Sequence, residues 1–293
     1  MNAKIKIITA MVTFGTIGIF VRYIPLPSSI IALVRGVLAT FFLFAVMACG
    51  NRWPDKAAIT RNLALLLISG ALIGFNWILL FEAYNYTSVA VATLCYYLAP
   101  VFVIIASPFV LGEKLTARKT LCVIAALVGM VLVSGVIQNY VRGGNTEDLN
   151  LTGVLLGIGA GALYATIILI NKKLKDISSY DTTVMQLAAA SIVLVPYCLL
   201  TVNMGVLEIT PVSVALLLIV GIVHTGIAYV LYFGSIKELP AQTVAIFSYI
   251  DPILAVLLSA LLLKENMDML SILGAVMILG STFVSEMKGD SND

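Results

Sequence analysis

The sequence has few charged residues. Only 11% of its 293 residues are Asp, Glu, Lys or Arg, whereas 61% are hydrophobic. A water-soluble domain of this length would need far more polar side chains to cover its surface. The composition, with a mean hydropathy of +1.07, therefore excludes a soluble globular protein and predicts a membrane protein. A net charge of +2 gives no indication of a nucleic-acid partner.

Cysteine and histidine are also scarce. The four cysteines lie in apolar runs at unrelated spacings: Cys49, Cys95, Cys122 and Cys198. This pattern predicts neither a disulfide framework nor a metal site. The chain has one histidine, no HExxH, no Gly-x-Ser-x-Gly and no paired membrane aspartates, which argues against an intramembrane enzyme. We expect no enzymatic activity, no metal and no cofactor.

Apolar runs long enough to cross a bilayer dominate the chain. A hydrocarbon core about 30 Å thick takes roughly 20 helical residues, and only helices or closed barrels satisfy the backbone inside it. Alternation with a period of two is absent, so the fold class is all-α, a polytopic membrane protein. Ten transmembrane helices are predicted, near 4–24, 30–49, 63–84, 88–111, 116–137, 151–172, 180–202, 211–237, 240–263 and 268–286.

The second half of the chain repeats the first. Residues 224–273 match residues 72–121 at one constant offset, without gaps. The matched residues are Leu79, Phe81, Tyr97, Pro100, Ser107, Leu111, Glu113 and Leu121 with Leu231, Phe233, Tyr249, Pro252, Ser259, Leu263, Glu265 and Leu273. Because five helices per copy is an odd number, the second copy is inverted. We predict a first five-helix repeat at 1–137, a connecting loop at 138–150 and a second repeat at 151–293.

The basic residues predict the orientation, because Lys and Arg accumulate on the cytoplasmic side of short loops. With the N-terminus inside, the cytoplasmic set is Lys4, Lys6, Arg52, Lys56, Arg61, Lys114, Arg118, Lys119, Lys172, Lys173, Lys175, Lys237 and Lys288. The outer or intramembrane set is only Arg22, Arg35, Arg142 and Lys264. We predict a multi-pass protein of the cell membrane with both termini in the cytoplasm.

Motifs in the fourth and ninth helices carry a family resemblance. The fourth helix reads Ala90-x-Ala92-Thr93-Leu94-x-x-Tyr97-Leu98-x-Pro100 and ends in Leu111-Gly112-Glu113. The ninth reads Tyr249-Ile250-Asp251-Pro252 and ends in Leu263-Lys264-Glu265. With Phe14-Gly15, Arg22 and Arg35 in the first two helices, the pattern resembles the EamA-type transporters of the drug/metabolite transporter (DMT) superfamily. Lys264 stands where that family usually has glycine.

The resemblance implies a secondary transporter of small organic molecules, often moving them outward. Inverted repeats that exchange conformations open a shared cavity to each side in turn, which is alternating access. We predict export of a small polar or amphipathic metabolite, an amino acid or a related compound, with proton coupling as a hypothesis. Two alternatives stay open: an importer of an organic cation or amine, and a lipid-handling membrane protein. The expected partners are the small-molecule substrate and the lipid bilayer.

Ionisable side chains inside the spans are candidates for the transport pathway, because each costs roughly 2.5–3.5 kcal/mol at the bilayer centre. Asp251 precedes Pro252, whose ring would kink the helix and expose carbonyls to water. His224 has an unperturbed pKa near 6.5, and Glu82 is a further group that could bind a proton or a cation. The alternatives are a structural pairing of Asp251, a local hydrogen bond of His224, and contact of Glu82 with headgroup water.

Substrate-binding candidates are an arginine and several aromatic residues. Arg35 offers a planar guanidinium suited to a carboxylate, with a structural tie to Glu82 or to helix-end carbonyls as the alternative. Inverted symmetry places repeat-equivalent aromatic residues about the central axis, which selects Trp77 with Tyr229 and Tyr97 with Tyr249. Ser248 shares the helical face of Asp251. The predicted helix kinks are Pro100 and Pro252.

The sixth predicted helix carries a ladder of glycines, Gly153, Gly157 and Gly161. Small residues at this spacing let two helix backbones approach closely. We expect the ladder to pack inside the monomer, with a homodimer contact as the alternative.

Overall fold

The computed structural model describes residues 2–51, 53–110, 112, 116–134, 137, 151–236, 238–239, 247–248, 250–265 and 267–286. Within them the chain is helical and contains no strand. The α-helices are α1 (Ala3–Arg22), α2 (Ser28–Cys49), α3 (Lys56–Tyr86), α4 (Val89–Tyr96), α5 (Ala99–Val110), α6 (Ala117–Val133), α7 (Leu151–Asn171), α8 (Ser179–Thr201), α9 (Pro211–Leu218), α10 (Ala228–Ile236), α11 (Ile250–Leu262) and α12 (Met269–Glu286). A π-helix, Ile219–Ile227, joins α9 to α10. A 3₁₀ turn, Met204–Val206, follows α8.

These described helices form ten rods, because α4 with α5 makes one rod and α9, the π-helix and α10 make another. The rods agree with the predicted count and with an all-α polytopic membrane fold. Among the described residues, seven helical segments are long and apolar enough to cross a membrane, and Ile250–Leu262 and Met269–Ser281 are shorter apolar helices. The predicted connecting loop, 138–150, lies outside the described residues.

The helix α3 begins earlier than its apolar run. The predicted start near residue 63 is wrong. The prediction placed the charged residues Lys56 and Arg61 in the loop before the helix, whereas both lie in its first turns. Asp55 caps the true N-terminus by accepting from the amides of Ala57 and Ala58, at 2.9 and 3.1 Å. Asn62 donates to the carbonyl of Lys175 at 2.8 Å and accepts from its amide at 3.0 Å. The extra turns therefore tie α3 to the loop between α7 and α8.

The two halves pack by exchanging neighbours. The third rod of the first half, α3, lies against α7 and α8, which begin the second half. Its counterpart, formed by α9, the π-helix and α10, lies against α1 and α2. Three further pairs join equivalent rods of the two halves: α2 with α8, α4 with α11, and α6 with α12. The neighbour pattern thus obeys the twofold relation that the sequence repeat implies.

Consecutive rods run in opposite directions and define two faces. On the face where α1 begins, here called the N-terminal face, Lys6 bonds Glu238 and Arg61 bonds Asp176, at 2.7 and 2.8 Å. On the opposite face, the first turn of α2 meets the end of α3, where Ser28 donates to the Glu82 carboxylate at 2.7 Å.

The glycine ladder of α7 packs within the chain, against α4 and the residues beside it. A Cβ on Gly153 would lie 2.7 Å from the Cβ of Thr87, and one on Gly161 would lie 2.8 Å from the carbonyl oxygen of Tyr96. The α4 helix ends at Tyr96 and α5 begins at Ala99. Proline has no amide proton and its ring clashes with the carbonyl four residues earlier, which here is that of Tyr96. The break that precedes Pro100 therefore has a local cause, and Gly161 of the ladder packs against it.

Repeat-equivalent positions end α5 and α11 in the left-handed conformation. Gly112 has a φ of +69° and Lys264 a φ of +55°. After Lys264 the chain turns back, and the amide of Glu265 donates to the carbonyl of Ser259 at 3.3 Å, as in a helix C-cap that glycine favours. Lys264, which stands in place of the glycine of the second motif, therefore occupies a position where the backbone has a positive φ.

Replacing Lys264 with glycine should stabilise the protein. A residue with a Cβ costs about 1–2 kcal/mol in the left-handed region, and glycine regains part of this in spite of its greater chain entropy. We expect Lys264→Gly to raise the melting temperature of the purified protein in detergent and Gly112→Ala to lower it. An unchanged or lower melting temperature for Lys264→Gly would contradict the strain at this turn.

Candidate functional site

A cavity of about 460 Å³ lies at the centre of the helices. Its described lining comes from both halves, namely from α1, α2, α3, α4, α5, α7, α8, α10, α11 and residue 248. The walls are largely aromatic: Phe14, Trp77, Phe81, Tyr84, Tyr96, Tyr97, Tyr164, Tyr229 and Tyr232. Apolar pockets with a few polar groups are the usual form of small-molecule sites. The polar groups therefore decide what this cavity can hold.

Arg35 is the cationic group of the cavity. Its side chain is buried, with 6% of the residue exposed, and its guanidinium carbon lies 4.1 Å from the centre of the Trp77 ring and 5.6 Å from that of Phe81. Its Nε donates to the hydroxyl of Thr225 at 2.7 Å. No carboxylate of the described residues forms an ion pair with it. The tie to Glu82 that the sequence left open does not form in this structure.

Asp251 is the anionic group of the cavity. The phenol of Tyr97 donates to its Oδ2 at 2.7 Å, so the fourth and ninth rods meet through this pair. Asp251 stands in the first turn of α11, and a Cβ on Gly15 of α1 would lie 2.7 Å from its carbonyl oxygen. The Phe14-Gly15 element of the family motif therefore lets α1 approach the α11 backbone beside the carboxylate.

The sequence candidates divide into those that line this cavity and those that do not. The described residues Arg35, Trp77, Tyr97, Pro100, Tyr229, Ser248 and Asp251 line it. Pro252 is buried next to Asp251 and does not line it. Tyr249 lies outside the described residues. Two further candidates, His224 and Glu82, lie elsewhere.

His224 is buried between α1 and the π-helix, with 2% of the residue exposed. Its Nε2 lies 2.9 Å from the hydroxyl of Thr16, and its Nδ1 lies 3.3 Å from the carbonyl of Ile219. The ring of Phe20 packs against it, with the ring centres 4.7 Å apart. Both ring nitrogens therefore have partners away from the cavity, which agrees with the local hydrogen bond that the sequence offered as the alternative role.

Glu82 belongs to a second cavity, of about 690 Å³, on the opposite face. Its carboxylate accepts from Ser28 at 2.7 Å and from the Asn85 amide at 3.3 Å. Glu208 and Tyr197 also line this cavity, and none of its described lining residues is basic. No described residue lines both cavities, so Glu82 does not join Asp251 in one site.

On the opposite face, the ends of α1 and α11 pack against the start of α4. The carboxylate of Glu265 accepts from the amide of Val89 at 2.9 Å and from the hydroxyl of Ser259. A carboxylate at this position satisfies a free amide of the α4 N-terminus and complements the helix dipole. A Cβ on Gly18 would lie 2.5 Å from a methyl group of Val89. The starts of α4 and the ends of α1 and α11 are therefore in direct contact. Glu113, the repeat equivalent of Glu265, lies outside the described residues.

On the N-terminal face the lining of the central cavity becomes polar. Asn171 at the end of α7 and Gln186 in α8 both line the cavity there, and the Gln186 amide donates to Asn171 and to Ser69, both at 2.7 Å. Sequence reasoning missed this pair because neutral amides give no charge signal. It also missed Tyr164, whose ring stacks on that of Tyr96 with the centres 5.3 Å apart, because Tyr164 has no aromatic repeat equivalent.

Comparisons with known proteins now identify the family. The sequence matches the EamA-like transporter family over residues 2–135 and 151–287. The chain belongs to the EamA-like transporter family. It is 32% identical over 281 residues to a Bacillus subtilis protein named "Uncharacterized transporter YxxF", covering 94% of this chain and 87% of that protein. It is 24% identical to Protein RarD of Escherichia coli, covering 89% and 86%.

A solved crystal structure shares the fold of this EamA-like chain. It superposes with a TM-score of 0.64 over 97% of each chain, at 17% sequence identity. This likeness bears on the fold alone. The family match and the relatives named as transporters make the protein a multi-pass membrane transporter of the drug/metabolite transporter superfamily.

Removing the Tyr97 hydroxyl should destabilise this EamA-like protein, because the buried carboxylate of Asp251 loses its donor. Such a loss costs about 1–3 kcal/mol. Tyr164→Phe is the matched control, since Tyr164 lines the same cavity and its hydroxyl does not bond Asp251. We expect Tyr97→Phe to lower the melting temperature relative to Tyr164→Phe. Asp251→Asn should reduce the difference between the two tyrosine variants, and equal melting temperatures of Tyr97→Phe and Tyr164→Phe would contradict the pair.

Proposed function

We propose that the protein exports a small zwitterionic metabolite, an amino acid or a related compound with an apolar side chain, across the cell membrane. The observation that supports this proposal is the presence of Arg35 and Asp251 in one aromatic cavity without an ion pair between them. A charged group inside a membrane protein is costly. The cost of placing two opposite charges, Arg35 and Asp251, in one cavity is offset when a bound ligand carries the complementary charges.

The two charges select the groups of the ligand. A planar guanidinium binds a carboxylate with two parallel hydrogen bonds, and only the Nε of Arg35 is used within the described residues. Asp251 accepts one hydrogen bond from Tyr97 and keeps acceptor capacity for an ammonium group. The rings around them suit an apolar side chain and also attract a cation. A lipid-handling protein would have no need of this charged pair.

The distribution of contacts supports alternating access with the cavity facing the cytoplasm in this conformation. The basic residues of the described helix ends favour a cytoplasmic N-terminal face: Lys4, Lys6, Lys56, Arg61, Arg118, Lys119, Lys172, Lys173 and Lys175. The cavity extends towards that face, at Asn171 and Gln186, while Glu265 bonds the amide of Val89 on the other. An exporter takes up its substrate in such a state.

A panel of three matched ligands tests the substrate class. L-Phenylalanine has both charges, 2-phenylethylamine lacks the carboxylate, and 3-phenylpropionate lacks the ammonium. We expect L-phenylalanine to raise the melting temperature most, because a ligand that binds the folded state stabilises it. In Arg35→Gln, L-phenylalanine should raise the melting temperature no more than 2-phenylethylamine does. In Asp251→Asn, it should raise the melting temperature no more than 3-phenylpropionate does. Equal effects of all three ligands on the native protein would contradict the zwitterion.

Choline extends the panel to the second candidate function, an importer of an organic cation. The observation that favours this candidate is the cavity of the opposite face, which contains Glu82 and Glu208 and no basic residue in its described lining. Stabilisation by choline that Glu82→Gln removes, without stabilisation by L-phenylalanine, would support the importer and reject the proposed exporter. Counterflow of labelled ligand in oriented vesicles then gives the direction.

Coupling to protons through Asp251 is the last part of the proposal. Its carboxylate lines the cavity. The carboxylate can bind either a proton or the ammonium group of the substrate, and competition between the two would couple proton movement to transport. We expect transport into proteoliposomes to depend on pH in the native protein and to lose that dependence in Asp251→Asn. Tyr164→Phe serves as the control. Asp251→Asn moving substrate at the native rate across the pH series would refute the coupling.

A further inference from the structure

The π-helix Ile219–Ile227 has an unusual hydrogen-bonding register. The hydroxyl of Thr225 donates to the carbonyl of Val220 at 3.0 Å, five residues earlier, and the His224 ring lies 3.3 Å from the carbonyl of Ile219, again five residues earlier. π-Helical segments are rare and are frequently found at functional sites. In this chain the wide turn faces α2, the helix that carries Arg35.

Two glycines bring α2 unusually close to the π-helix. A Cβ on Gly221 would lie 2.7 Å from the Leu38 side chain, and one on Gly226 would lie 2.5 Å from the Phe42 ring. Leu38 and Phe42 share a helical face with Arg35. The approach therefore brings the Arg35 side chain within reach of Thr225.

The Thr225 hydroxyl has a fixed polarity. Because its single proton goes to the Val220 carbonyl, its lone pairs are left to accept from a donor. The Nε of Arg35 supplies that donor at 2.7 Å. This bond uses the edge of the guanidinium nearest the chain, and the opposite edge, with its two terminal nitrogens, is left for a ligand. The guanidinium carbon lies over the Trp77 ring, 4.1 Å from its centre.

Thr16 of α1 holds the π-helix in this register. Its hydroxyl lies 2.9 Å from His224, the residue before Thr225. Because α1 also lines the central cavity, at Phe14 and Gly15, the Thr16–His224 contact links this wall of the cavity to the π-helix that carries Thr225. The buried histidine thereby acquires a role that does not need contact with the cavity.

We propose that Thr225 is the positioning residue of Arg35 and, through it, a determinant of selectivity for ligands that carry a carboxylate. The π register presents the threonine hydroxyl as an acceptor, and this aims the terminal nitrogens of the guanidinium into the cavity. The inference rests on the proposed function for its ligand. The orientation of Arg35 itself can be measured without any ligand.

Tryptophan emission measures that orientation. The chain has two tryptophans, and Trp53 is 73% exposed, so Trp53→Phe gives a background in which Trp77 alone emits. In that background, Arg35→Gln provides the spectrum without a guanidinium over the ring. We expect Thr225→Val to shift the emission maximum at least half of the way to that spectrum. Thr225→Ser, which keeps the hydroxyl, should retain the parent spectrum.

Thr40→Val is the matched control, because Thr40 lies on α2 near Arg35 and, within the described part of the chain, its hydroxyl bonds the carbonyl of Gly36 in its own helix, at 2.7 Å. It should leave Trp77 emission unchanged. If Thr225→Val fails to fold, Thr225→Ala makes the same test without added bulk. A Thr225 variant that lacks the hydroxyl and keeps the parent spectrum would overturn the proposal.

Ligand binding completes the test. For Thr225→Val we expect the dissociation constant of L-phenylalanine to rise about tenfold, the effect of a weakened charge-assisted bond, with that of 2-phenylethylamine changed less than twofold. Equal changes for both ligands would overturn the selectivity role. If the parent protein binds neither ligand, the proposed substrate class fails, and the emission spectra still decide whether Thr225 orients Arg35.

Discussion

The exchange of neighbours between the two halves is the constraint on which the rest of the structure depends. Each third rod packs mainly on the other half: α3 lies on α7 and α8, and the rod of α9, the π-helix and α10 lies on α1 and α2. Most of the surface that these rods bury therefore requires both halves. The central cavity follows from this arrangement, because its walls lie where the exchanged rods meet on the twofold axis.

Symmetry of the backbone does not extend to the charges. Arg35 and Gln186 lie equally far from the first residues of α2 and α8, Ser28 and Ser179. Each bonds a hydroxyl on the third rod of the other half, Thr225 for Arg35 and Ser69 for Gln186. The guanidinium stands towards the opposite face and the neutral amide towards the N-terminal face. A ligand with a carboxylate therefore meets two chemically different ends, which a symmetric duplication could not provide.

The sequence predicted those features that depend on the length and polarity of long segments. The ten rods followed from the apolar runs, and the presence of an ionisable group within an apolar span selected Arg35 and Asp251, which line the cavity. Depth could not distinguish a side chain that faces the cavity from one that packs between rods, so it did not separate His224 from Asp251. Tyr164 and Gln186 carry no charge or repeat signal, and their contribution depends on which rods become neighbours.

The π-helix had no signal in the sequence, and the aligned part of α3 does not share it. The aligned part of α3 is regular α-helix and packs its own glycine, Gly70, so tightly on α8 that an added Cβ would lie 2.5 Å from the Gln186 carbonyl oxygen. On the π-helix, Gly221 and Gly226 instead receive the bulky side chains Leu38 and Phe42. In α3, Gly74 is the equivalent of Gly226 and also meets a bulky side chain, that of Leu194, so a large neighbour at this position is compatible with a regular α-helix. The two third rods therefore share glycines at their contacts and differ in register, and the π-helical rod is the one whose Thr225 hydroxyl accepts from Arg35.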